Sequence, residues 1–190
     1  TGTESVSSTY VSSFDSDGFS LGVDYGQNAP SEPYAAWNWK AGGTASSNTD
    51  GSITSSVSAN TDAGFSIVTW TGNGVTGATR GHGLGVKPDW ILLKKRSATS
   101  SWLVYNSDRG ATKYITLPGT PSEQTSSGAW NNTEPTSSVF TTGSFGDVND
   151  SGATFVAYCF ANKDGFSKVG SSVGNGSSDG PFFYTGCRPA

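Results

Sequence analysis

Gly64-Phe65-Ser66-Ile67-Val68-Thr69-Trp70-Thr71-Gly72-Asn73-Gly74 is the stretch that decides the fold class. Phe65, Ile67 and Thr69 alternate with Ser66, Val68 and Trp70, a period of two carried by β-branched and aromatic residues, and a Gly-Asn-Gly turn ends it. Working outward, the same grammar recurs. Residues 90–94 (Trp90-Ile91-Leu92-Leu93-Lys94) follow a Lys87-Pro88-Asp89 bend and are dense enough in apolar side chains to suit a central strand. Residues 34–40, 102–105, 114–117, 139–142, 155–160 and 182–185 complete the strand candidates. Residues 41–62 are almost wholly Ser, Thr, Asn, Asp, Gly and Ala. So are residues 118–137 apart from Trp130, and long polar excursions of this kind are usually functional or mobile.

Composition points the same way. Gly accounts for 26 of 190 residues and charged residues for 14%, too few Lys and Glu to fill exposed helix faces. Aromatic residues at 12% supply a core, which argues against disorder. The expected fold is all-β, a β-sandwich of the jelly-roll or concanavalin-like kind, forming one region over 1–190. A net charge of −4 argues against a nucleic-acid partner, which needs a basic footprint. No apolar run reaches eighteen residues, so membrane insertion is not expected.

The chain also repeats itself. Phe19, Gly22, Asn28, Tyr34, Ala36, Trp37 and Trp39 align with Phe140, Gly143, Asn149, Phe155, Ala157, Tyr158 and Phe160, every pair 121 positions apart. Gly64-Phe65-Ser66 returns as Gly165-Phe166-Ser167, and Gly85, Lys87 and Pro88 as Gly186, Arg188 and Pro189, now 101 apart. Self-similarity at a fixed spacing is the signature of an array. The expected organisation is the back half of one unit (1–63), a full unit (64–161) and the opening of a third (165–190), a segment of a longer array. Without a Met anywhere, residue 1 is not read as a translation start.

Chemistry-bearing residues are sparse. His82, the single histidine, sits in Gly-His-Gly-Leu-Gly without a nucleophile or a second ligand in its context, so it reads as a turn residue capping a backbone group. Cys159 lies in the apolar run at 155–160 and reads as a small buried hydrophobe, and no Cys/His spacing suggests a metal. Glu4, Glu32, Glu123 and Glu134 fall in polar loops, so no pair of carboxylates is set on strand faces as glycoside hydrolysis requires. The acidic stretches at 15–18 and 147–152 lack the spacing and closing glutamate of a calcium loop and read as Asx-turns. No catalytic residue, metal or cofactor is expected. For ligand binding, aromatic faces beside amides are the candidates, because such faces stack on sugar rings: Trp130 with Asn131 and Asn132, and Trp102 with Tyr105. Trp37, Trp39 and Trp90 lie in apolar strand patterns and are expected in the core.

A resemblance enters at these blocks. Gly81-His82-Gly83-Leu84-Gly85-Val86-Lys87-Pro88-Asp89-Trp90-Ile91-Leu92-Leu93-Lys94 resembles a run found in repeat domains of marine, cyanophage-like bacteriophage structural and tail-fibre proteins. Residues 34–43, 57–60, 64–68 and 179–186 resemble the same domains in the same order, and Cys187 stands where the comparable run carries an aromatic. The resemblance implies a non-enzymatic virion part, in a tail fibre or other surface appendage, virion-borne or extracellular. Its partners would be other virion proteins or copies of itself, with a host-surface glycan as a further ligand. The alternatives are a secreted bacterial carbohydrate-binding or adhesin module and, third, a polysaccharide depolymerase.

Overall fold

The computed structural model describes residues 2–4, 7, 9–117 and 122–187. It is an all-β chain of antiparallel sheets with a few one-turn helices. Two compact units form: Glu4–Trp39, and Lys40–Ala190 together with Thr1–Thr3.

The larger unit is built on an eight-stranded sheet. Its strands are β3 (Ser46–Asn48), β4 (Ser55–Asn60), β5 (Phe65–Thr71), β7 (Trp90–Lys95), β8 (Trp102–Asn106), β9 (Lys113–Leu117), β10 (Gln124–Thr125) and β12 (Thr154–Phe160), in spatial order β10-β9-β8-β7-β12-β5-β4-β3. The last strand of the chain to join therefore lies in the middle, between β5 and β7. Its sequence explains this position. Phe155, Ala157 and Cys159 pack into one face while Val156, Tyr158 and Phe160 serve the other, so β12 is apolar on both sides as a central strand must be. The edge strands β3 and β10 are only three and two residues long, which limits the row of open backbone groups available for unwanted pairing.

A two-stranded ribbon, β6 (Thr79–Gly81) with β11 (Val139–Thr141), covers the first face of the sheet. Phe140 of the ribbon meets Trp70 edge-on at 5.7 Å, and Trp70 stacks on Phe155 at 5.3 Å. The helices α2 (Ser127–Trp130) and α3 (Gly146–Asn149) contribute Trp130 and Val148 to the same core, with Val57, Val68, Ile91, Leu93, Leu103 and Tyr105 from the strands. Asn149 ties the core to the Gly72-Asn73-Gly74 turn, donating from Nδ2 to Asn73 Oδ1 and to the carbonyl of Val75. The smaller unit, Glu4–Trp39, holds a hairpin of β1 (Val11–Phe14) with β2 (Phe19–Leu21), then α1 (Tyr25–Asn28) capped by Asp24.

Several expectations are corrected. Residues 34–40 and 182–185 form no strand, and Trp37 and Trp39 are exposed rather than core; Trp90 is half-buried. A strand exists only where a neighbour takes its backbone hydrogen bonds, and neither segment lies in a ladder among the described residues. In the other direction, the polar stretch 41–62 contains β3 and β4 and delivers Ile53 and Val57 to the core. The repeat partners proposed for Lys87 and Pro88, Arg188 and Pro189, lie outside the described residues, as does the 118–121 part of the second polar stretch.

Candidate interaction surface

Trp130 does not face solvent. Ser126 caps α2 through its side chain, and the one-turn helix swings the indole inward, leaving Trp130 1% exposed. It meets the buried ring of Tyr105 at 5.8 Å. The two amides that made it resemble a sugar platform, Asn131 and Asn132, are the left-handed residues that end the helix, with φ of 54° and 51°. Trp102 lies half-buried on the opposite face of the sheet, stacked at 6.0 Å on Tyr158. The structure thus unites Trp130 and Tyr105 in the core and separates both from Trp102. The expectation of an exposed aromatic platform at Trp130 is corrected: its rings are turned inward by helix geometry that a polar flanking sequence conceals.

The carboxylates are committed to structural partners. Glu134 accepts from the Tyr105 hydroxyl at 2.5 Å, the Ala111 amide at 2.6 Å and the Lys87 ammonium at 2.8 Å. Burial works against its charge, but these donors outweigh it and hold its pKa below the usual carboxylate value. Glu123 is bound by Arg109 and by Lys113, and the hydrogen bond from Arg109 is the main cause of its fall to about 2. His82 is fully buried. The Leu84 amide donates to its Nδ1 at 3.2 Å, so Nε2 carries the proton and gives it to the Thr136 carbonyl at 3.2 Å. Gly83 and Gly85, both at φ 71°, complete that turn. Burial lowers the His82 pKa, which keeps the ring neutral. Cys159 is buried and unpaired, its thiol pushed up to about 12 by desolvation.

What the surface does present is aromatic residue in two stretches whose aligned counterparts are buried. Tyr34 is 51% exposed where Phe155 is fully buried, and Phe166 is 60% exposed where Phe65 is 4% exposed. Trp37 is 77% exposed, and Phe182 and Tyr184 also stand in solvent. Local geometry nevertheless agrees across the alignment. α1 and α3 both span four residues and lie 121 positions apart. Gly64 and Gly165, Gly74 and Gly176, Gly85 and Gly186 all carry positive φ. Within the larger unit, Asp108, Asn162, Lys168, Phe182, Phe183 and Tyr184 line an open cleft of about 510 Å³. There the Lys168 ammonium lies 5.3 Å from the centre of the Tyr184 ring, while Asp108 and Asn162 hold the amides of Ser171 and Val169. These residues are spread from position 108 to 184, and no local motif announces them.

No curated protein and no solved structure matches the chain. A family model described as a domain of unknown function, DUF7483, matches residues 1–190, and the chain belongs to that family.

Proposed function

We propose that this chain is a non-enzymatic structural module of a phage virion, part of a tail fibre or similar surface appendage, held by contacts with copies of itself or with neighbouring virion proteins. The observation that carries the reading is the exposure of large aromatics in each unit, Tyr34 and Trp37 in the smaller and Phe166 and Phe182 in the larger, because exposed apolar surface of this kind suits an interaction site. The ordered series of motifs shared with marine phage repeat domains supplies the setting. In this reading the ribbon β6·β11 over the eight-stranded sheet is one sandwich-type unit of an array, and Glu4–Trp39 and the residues from 163 onward belong to its neighbours. Glu123 and Glu134, ionised and engaged by basic or hydroxyl donors, favour a structural over a hydrolytic role, since a general acid needs a raised pKa. Antibodies raised against residues 1–190 and applied to purified marine phage particles in immunogold microscopy test the reading. Label on a fibre or other appendage is expected. Protein abundant in infected cells but never on particles overturns it.

A second reading rests on the cleft. Tyr184, Asp108, Asn162 and Lys168 combine a ring face with carboxylate, amide and ammonium, the mixture that suits a host-surface saccharide. Glycan-array binding that is lost in Tyr184→Ala supports it, and an array without hits removes it.

A further inference from the structure

The cleft in the larger unit is tied to the sheet by hydrogen bonds that consume acceptors and leave donors. Asn106, at the end of β8, accepts the amide of Asp108 on its Oδ1 at 2.9 Å, an Asx-turn that fixes the Asp108 backbone. Asp89 accepts the Asn162 amide at 2.8 Å and, on its other oxygen, the Ser107 hydroxyl at 3.1 Å. These two anchors hold the wall of the cleft. Asp108 Oδ2 accepts the Ser171 amide at 2.7 Å, and Asn162 Oδ1 accepts the Val169 amide at 2.6 Å. The Asn162 side chain then keeps only its Nδ2 donor, and the Asp108 carboxylate keeps Oδ1. Lys168, on the same wall, has no carboxylate partner among the described residues. Lys87, Lys95, Arg109 and Lys113 are all paired with acids.

That inventory selects the ligand. An ammonium without a counter-charge calls for an anion, the exposed rings of Phe182 and Tyr184 for the C–H face of a pyranose, and Asp108 Oδ1 for a sugar hydroxyl. A free phosphate or sulfate would answer only the first of these, and a neutral sugar would leave the ammonium unanswered. We infer that the cleft takes an acidic saccharide, one whose pyranose carries a carboxylate or a sulfate, with the anionic group on Lys168 and the ring against Phe182. Tyr184 is a positioning residue: its ring draws the Lys168 ammonium to 5.3 Å from its centre, as a ring quadrupole draws a cation. The net charge of −4 opposes the approach of a polyanion, so recognition rests on this local ammonium rather than on long-range steering. A copy of the chain seated over Phe182 and Tyr184 and a ligand in the cleft exclude each other.

This inference rests on the reading that the cleft holds a saccharide, and the two fail differently. Isothermal titration calorimetry on the 190-residue protein, at concentrations where sedimentation shows a monomer, compares two matched pairs of probes. One is trigalacturonate and its methyl ester; the other is a κ-carrageenan oligosaccharide and its desulfated form. The acidic member of at least one pair is expected to bind about ten-fold more tightly than its neutral counterpart, the value of one charge-assisted hydrogen bond. Lys168→Met, an exposed position where circular dichroism checks folding, should bring the acidic probe down to the neutral level, and Lys168→Arg should restore much of the difference. Equal binding within both pairs, or Lys168→Met without effect, overturns the acidic preference and leaves the saccharide reading standing. No binding of any probe overturns both.

Discussion

The indole of Trp130 meets the ring of Tyr105 edge-on, centroids 5.8 Å apart at 73°, with both side chains out of solvent. A residue that sequence context offers to a ligand is thus part of the frame. Trp130→Ala should cost about 3–5 kcal/mol, as large-to-small changes of buried aromatics do. For a chain of this size that is a fall of roughly 10 °C in melting temperature. Calorimetry checks it, and a melt unchanged within about 2 °C would show that the ring is not core.

The hydroxyl of Tyr105 leads to the second expectation, because it donates to Glu134 together with Lys87 and the Ala111 amide. The folded pKa of Glu134 lies below its unfolded value, so its contribution is complete above the unfolded value of about 4.3 and is lost as pH falls through the folded pKa. Glu134→Gln should therefore melt below the parent at pH 7, and the gap should narrow as pH drops below about 4. A gap independent of pH between 7 and 3 would mean that the charge does no stabilising there.

Arg80 poses the opposite case. Its guanidinium is fully buried, 4.9 Å from the Trp70 ring, bonded through Nη1 to the Ala78 carbonyl and the Thr142 hydroxyl. Nε and Nη2 have no partner among the described residues, and desolvation lowers the pKa to about 9. Replacing a buried charge by an apolar side chain of similar volume is often neutral or stabilising by about 1–4 kcal/mol. Arg80→Met should hold or raise the melting temperature, while Arg80→Ala, which also opens a cavity, should lower it. A drop in both by the same amount would show that the charge itself is needed.

The legible parts of this fold are those where local pattern and tertiary setting agree. β5, β7 and β12 alternate or are apolar on both faces, and they form the middle of the sheet as such sequences should. β4 gives little signal in sequence because Ser55-Ser56-Val57-Ser58-Ala59-Asn60 offers the core one Val and otherwise small residues, and Ser55 is satisfied by the Gly81 carbonyl. Residues 34–40 carry the same alternation as β12 but form no strand among the described residues, because alternation alone does not make a ladder. The burial of Trp130 is not legible in sequence because the helix that buries it is four residues long, too short for a periodic signal. The His82 turn, by contrast, was readable from its glycines, since a buried imidazole between them has backbone groups within reach.

The central proposal is that the exposed aromatics of two segments, 34–39 and 166–184, are covered by contacts between copies of the chain. Amide hydrogen exchange of the 190-residue protein, followed from low to high concentration, tests it most directly. The account predicts that protection in these two segments rises together with concentration, tracking the growth of assemblies seen by sedimentation, while β5, β7 and β12 stay protected throughout. Exchange in both segments that stays fast at every concentration, or that is already slow in the dilute monomer, would contradict it.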